Sequence, residues 1–148
     1  MAEKVIAGSD HAGLALRAAA VGAAKAAGFE VEDVGPFSTE SVDYPDFARR
    51  VAEAVARGEA RFGILVCGTG IGMSISANKV HGVRAALCTT EYEARMARAH
   101  NDANVLCMGE RVVGTGLGDA IVKAFLGTPF EGGRHARRVA KIGALDER

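Results

Sequence analysis

Ile64-Leu65-Val66-Cys67-Gly68-Thr69-Gly70-Ile71-Gly72-Met73-Ser74 is the stretch on which the reading of this chain turns. Three bulky aliphatic residues in succession suit a strand covered on both faces, as in a parallel sheet. Glycines at 68, 70 and 72 then allow positive φ and a close approach of the backbone to a ligand. A loop of this kind that opens a helix gathers free N–H groups and the positive end of the helix dipole. It therefore favours phosphate, carboxylate, enolate or thiolate. Cys67 stands at that junction, where an activated thiol fits the surroundings. An inert buried thiol beside a glycine turn fits the same residues, and both readings stay open at this point.

Outward from that stretch, strand-like and helix-like segments alternate. Lys4-Val5-Ile6-Ala7-Gly8 reads as a first strand, followed at once by Ser9-Asp10-His11. Leu14 to Ala27 is alanine-rich and helix-forming, with Gly28 suited to a left-handed stop. Phe29 to Val34 gives a second strand, and Phe37 to Asp43 a polar surface excursion. Pro45 suits a first helical turn, with Phe47, Val51, Ala54 and Val55 on one face before Gly58. After the glycine loop a helix runs through Ile75 to about Lys79, and Val83 to Cys88 forms a fourth strand. Thr90 and Glu93 have the form of a capping box for a helix through Ala99. Asn104 to Gly109 is a fifth strand, followed by a helix with Leu117, Ile121, Val122 and Phe125 on one face. A last amphipathic segment spans about Gly133 to Leu145.

This alternation predicts one α/β domain over residues 1–148: a Rossmann-like three-layer arrangement with a five-stranded parallel sheet and helices on both faces. Such sheets bind ligands at the carboxyl ends of their strands. Asp10-His11, Cys67-Gly68-Thr69, Thr89 and Gly109-Glu110-Arg111 all follow strands and are expected on that edge.

Composition narrows the classes. Eighteen basic and eighteen acidic residues give no net charge, so no overall field points to nucleic acid or an acidic membrane. No apolar run approaches a membrane span, and no signal-peptide pattern is present. Cys67, Cys88 and Cys107 lack close C-x-x-C spacing and lie in or beside apolar runs, as expected of reduced thiols in a cytoplasmic protein.

The glycine loop fails three specific patterns. A dinucleotide fingerprint would need glycine at Met73 or Ile75, a P-loop a Lys-Ser or Lys-Thr after Gly72, and a cysteine phosphatase loop an arginine at Met73. Asp10-His11 supply a carboxylate and an imidazole, or a polar cap at a strand end. His100-Asn101-Asp102 either serve chemistry or finish a helix. Arg134 and Arg138, four apart, project from one helical face and can share a phosphate, while a solvated basic face, with Arg137, is the alternative. Arg111 is open to the same two readings.

Six ordered blocks resemble the type B ribose-5-phosphate isomerases, a family that includes the galactose-6-phosphate isomerase subunits. They are Gly8-Ser9-Asp10-His11-Ala12-Gly13, Asp43-Tyr44-Pro45, Cys67 to Gly72, Ala77-Asn78-Lys79, His100-Asn101-Asp102-Ala103-Asn104 and Glu131-Gly132-Gly133-Arg134-His135. The resemblance implies interconversion of an aldose phosphate and a ketose phosphate without metal or organic cofactor. By that resemblance Cys67 is the carbon base. Thr69 and the amides around Gly70 to Ser74 form an anion hole, with Gly68, Gly70, Gly72 and Ser74 counted as substrate-binding.

The same carry-over has His100 opening the furanose ring and Asp10 and Asn101 binding sugar hydroxyls. His11, Arg111, Arg134 and Arg138 hold the phosphate, and Tyr44 lines the pocket. Some family members replace the cysteine and use a nearby glutamate; here Cys67 is retained and position 71 is Ile. The resemblance further implies a homodimer, or a tetramer built from it, with a site composed from two subunits. Ribose 5-phosphate is the expected substrate. Allose, galactose or four-carbon phosphates, and a non-catalytic sugar-phosphate sensor, are the alternatives.

Overall fold

The structure, a computed structural model, describes residues 2–147. Its strands are β1 (Lys4–Ser9), β2 (Glu30–Asp33), β3 (Phe62–Cys67), β4 (Ala85–Leu87) and β5 (Val105–Gly109). Its helices are α1 (Leu14–Ala26), α2 (Tyr44–Ala56), α3 (Ile71–Ala77), α4 (Glu91–Asn101), α5 (Thr115–Gly127) and α6 (Arg134–Ala144). Short 3-10 turns cover His11–Gly13 and Leu145–Glu147. All strand pairs are parallel, in the order β2-β1-β3-β5-β4. The expected α/β arrangement is thus the observed one.

Side chains alternate across the sheet with the period of two that a strand imposes. Val5, Ala7, Ile64, Val66, Leu106 and Met108 face α1, α4 and α5, packing with Leu16, Ala20, Ala97, Ile121 and Phe125. Ile6, Leu65, Cys67, Val105 and Cys107 face α2 and α3, against Val51, Val55, Met73 and Ala77. Each large aliphatic side chain removed from water contributes about 1.5–3 kcal/mol. These two apolar layers, together with the backbone ladders to β1 and β5, hold β3 at the centre. The chain leaves β1 and β3 in opposite lateral directions, which opens a crevice at their carboxyl ends.

Several boundaries differ from the sequence expectation. The helix after the glycine loop ends at Ala77 rather than at about Lys79, and Gly70, at φ 80°, makes the turn into it in one residue. The fourth strand is shorter than Val83–Cys88, since the Arg84 N–H donates to Asn104 Oδ1 (2.8 Å) rather than to a neighbouring strand. Leu117 is 43% exposed and not on the buried face of α5. Gly118 takes that place, letting Leu16 of α1 pack where a Cβ would stand, so the buried face is Gly118, Ile121, Val122 and Phe125. Thr89 lies outside the crevice: Glu93 Oε1 accepts from its N–H (2.8 Å) and its hydroxyl (2.9 Å), while Thr90 Oγ1 accepts from the Glu93 N–H. Those bonds hold the Glu93 carboxyl below its ordinary range.

α6 lies at the amino-terminal edge of the sheet. The Glu131 N–H donates to Ala99 O at the end of α4 (3.0 Å), and the Gly82 N–H donates to Asp146 Oδ2 (2.8 Å). Ile142 on α6 and Leu145 in the 3-10 turn that follows it stay exposed. No described helix is long and apolar enough to cross a membrane.

Candidate active site

A cavity of about 440 Å³ opens at the carboxyl ends of β1 and β3. Asp10, His11, Tyr44, Cys67, Gly68, Thr69, Gly72 and Arg111 line it, together with Ala12, Ile71 and Ile75. Ile71 and Ile75 were not foreseen; they are large apolar residues left exposed on α3, and the helix phase puts both at the mouth.

The cysteine loop is held by its own amides. The Gly70 N–H donates to Cys67 Sγ at 3.1 Å, and the Ile71 N–H donates to Thr69 Oγ1 at 3.2 Å. The Ser74 N–H donates to Gly70 O, the first bond of α3, so Ser74 does not offer its amide to a ligand. The anion hole expected from Gly70 to Ser74 therefore narrows. Among the described residues, the Gly72 and Met73 N–H groups have no protein acceptor. Close approach explains two of the glycines: a Cβ at 72 would come within 2.5 Å of the Tyr44 ring, and a Cβ at 109 would enter the Thr69 backbone.

The neighbouring groups are similarly fixed. Asp10 is nearly buried, and its Oδ1 accepts from the Ala12 N–H (2.9 Å), so it caps the 3-10 turn while lining the cavity. His11 Nδ1 accepts from the Val42 N–H (3.2 Å), which assigns the neutral ring the tautomer with a proton on Nε2. The polar excursion before α2 thus orients a site imidazole. The Arg111 N–H donates to Gly68 O (3.0 Å), and its guanidinium lies over Gly68, 3.3 Å from where a Cβ would stand. Glu110, its neighbour, accepts from the Leu16 N–H at the start of α1 (2.8 Å). The other thiols are buried away from the cavity: burial pushes Cys88 up to about 12, with Glu93 adding to it, and pushes Cys107 up as well.

His100, Asn101, Arg134 and Arg138 do not join this group. α4 begins beside the carboxyl end of β4 and runs back to the other edge of the sheet, which carries its last turn away from Cys67. There the His100 and His135 rings stack, centroids 4.2 Å apart and 11° from parallel. Glu131 Oε1 lies 3.5 Å from His135 Nε2 and 4.0 Å from His100 Nε2. Burial lowers the His135 pKa, with the nearby His100 and Arg134 adding to the effect and Glu131 opposing it. The three residues bring donor atoms within 4.8 Å of one another. The stacked rings keep their in-plane lone pairs in separate planes, so they do not converge on one ion as metal ligands do. Asn101 ends α4, and Arg134 and Arg138 are exposed on α6. Among the described residues, Arg111, Arg134 and Arg138 have no ion-pair partner, unlike Arg17, Arg49, Arg84 and Arg98.

Comparison with known proteins shows what the whole chain is similar to. The family model described as Ribose/Galactose Isomerase matches residues 5–142. Ribose-5-phosphate isomerase B of Escherichia coli K12 is 49% identical over 146 residues, covering 99% of this chain and 98% of that protein. The structure of type B ribose 5-phosphate isomerase from Trypanosoma brucei superposes with a TM-score of 0.95 at 54% identity, covering 98% of this chain and 99% of that one. Ribose-5-phosphate isomerase B from Mycoplasma genitalium, solved with bound ribulose-5-phosphate, gives a TM-score of 0.93 at 44% identity, covering 98% and 97%.

Proposed function

Because the chain belongs to the Ribose/Galactose Isomerase family, we propose that it interconverts ribose 5-phosphate and ribulose 5-phosphate by moving a proton between C2 and C1. The observation that carries this reading is the cavity thiol, Cys67, with the Gly70 N–H on its sulfur and a phosphate-capable guanidinium, Arg111, over the same loop.

The steps follow from the groups. His100 takes the proton of the C1 hydroxyl and protonates the ring oxygen, which opens the furanose. The Cys67 thiolate removes the C2 proton; that electron pair forms the C1–C2 double bond, and the carbonyl pair moves onto O1. The resulting enediolate is met by Thr69 and the loop amides, which supply positive dipoles where charge develops. A proton returns to C1, the O2 proton transfers to O1, and the ketose is left. Asp10 and Asn101 hold hydroxyls, Tyr44 closes the wall, and His11, Arg111, Arg134 and Arg138 hold the phosphate. Proton transfer of this kind needs neither metal nor organic cofactor, and three reduced thiols suit a cytoplasmic setting.

His100, Asn101, Arg134 and Arg138 reach such a substrate from a second copy of the chain, in a homodimer or a tetramer built from it. A two-fold interface gives each cavity one set of groups from either protomer. The test is complementation. Cys67→Ala and His100→Asn chains, each left with only residual turnover alone, are unfolded, mixed in equal amounts and refolded. Half of the dimers are then mixed and carry one intact site, so about one quarter of wild-type activity returns if the site is shared. No recovery, or an active monomer in sedimentation, refutes the shared site. Relative kcat/KM over five- and six-carbon phosphates tests the ribose assignment.

A further inference from the structure

A buried guanidinium is strongly unfavourable unless it is paired and hydrogen-bonded. Arg98, on the last turns of α4, is 1% exposed and among the largest fully buried side chains of the protein. Its guanidinium carbon lies 4.8 Å from the Phe62 ring centroid and 5.9 Å from that of Phe125. Nη1 donates to Asp102 Oδ1 (2.8 Å) and to Ala103 O (2.6 Å), while Nε donates to Thr128 O (3.3 Å). One planar group therefore fastens two segments distant in sequence: the turn after His100-Asn101, and the connection that leads to Glu131 and His135.

The turn needs fastening. Asp102, at φ 47°, is the one non-glycine residue in the left-handed region among those described, a conformation that side chains rarely adopt. Arg84 braces it from outside, its Nε donating to Asn101 O (3.1 Å) and Asp102 O (3.0 Å). On the other side the Glu131 N–H is tied to Ala99 O. His100 sits between these anchors, stacked on His135.

We propose that Arg98 is a positioning residue for the ring-opening step: it grips the Asp102 turn and the Thr128 connection together, and thereby holds His100 against His135 and Glu131 without touching substrate. The proposal rests on the reading of His100 as the ring-opening group. Lysine cannot replace it, since one ammonium does not present the fixed fork of Nε and Nη1.

A double-mutant cycle separates positioning from simple core stability. Arg98→Lys, Asp102→Gly and His100→Asn, and the pairs Arg98→Lys/His100→Asn and Asp102→Gly/His100→Asn, are assayed on ribose 5-phosphate as full chains below their unfolding temperatures. Arg98→Lys is expected to lower kcat by about 10- to 100-fold, the scale of a small displacement of a reacting group, with KM within about twofold. Asp102→Gly is expected to do the same, and because glycine adopts this φ without strain it decides the matter if Arg98→Lys does not fold. Neither change lowers kcat further once His100 is asparagine. Additive losses in the two backgrounds, or an unchanged kcat in Asp102→Gly, overturn the proposal alone. Full activity of His100→Asn by itself overturns the ring-opening reading, and the proposal with it.

Discussion

Replacing Cys67 by alanine and, separately, by serine separates its structural contact from its proposed catalytic role. Its sulfur accepts the Gly70 N–H at 3.1 Å in a loop where Gly70 is itself buried. Alanine leaves that donor without an acceptor, which costs about 1–3 kcal/mol. Serine keeps an acceptor facing the same N–H and so retains most of that interaction. With about 2–4 °C of melting temperature per kcal/mol for a chain of this size, the alanine variant should melt about 2–12 °C below the serine variant. Both should lose kcat by about 10²–10⁴-fold, the contribution of a positioned base. Calorimetry and a coupled ketose assay read the two effects independently. Equal melting temperatures would show that the Gly70 N–H does not depend on the sulfur, and near-normal turnover in the serine variant would refute Cys67 as the base.

Arg138→Ala should raise KM about 10- to 150-fold, the worth of one hydrogen bond to a charged group, with little change in kcat; an unchanged KM removes it from the phosphate anchor. Gly109→Ala pushes a methyl into the Thr69 backbone and should cost at least about 1–3 kcal/mol, read as a lower urea midpoint; a wild-type midpoint would mean that the loop can shift freely. The His135 pKa is lowered by folding from the ordinary 6.5. Its contribution to stability is therefore present above 6.5 and lost as pH falls through the folded value, because the unfolded chain takes up the proton first. His135→Gln should flatten the fall in urea midpoint just below pH 6.5, and a variant with the wild-type slope argues against it. Iodoacetamide at neutral pH should label Cys67 in the folded protein and spare Cys88 and Cys107, whose thiols burial keeps protonated; peptide mapping that finds Cys88 labelled equally fast contradicts this.

The strands were legible because aliphatic runs between turn residues leave little choice, and the burial of β3 on both faces could be read from Ile64-Leu65-Val66. Strand order explains why Asp10, His11, Cys67, Thr69 and Arg111 meet: each follows a strand, and parallel strands share one carboxyl edge. Local chemistry that depends on which acceptor lies nearest was not legible. The Ser74 amide is spent on its own helix, Thr89 on Glu93, and Gly118 rather than Leu117 faces α1. The His100–His135 stack joins residues from two quoted blocks, yet nothing in either block specifies a ring contact across that distance. Arg98 gave no signal at all, since a lone arginine on a helix ordinarily reads as surface.

The strand order also bears on how the chain is made. β4 precedes β5 in synthesis yet docks outside it, so one edge of β3 has no strand to pair with until residues 105–109 have emerged. The start of α1 likewise waits for Glu110, ninety-four positions downstream of Leu16. A nascent chain shorter than about 110 residues thus carries an open, aliphatic strand edge ending at Cys67, the kind of exposed segment that aggregates or draws chaperones during translation. Insertion of β5 closes that edge and, in the same event, brings Arg111 over the cysteine loop, so the cavity gains its guanidinium only as the nascent chain ceases to be vulnerable.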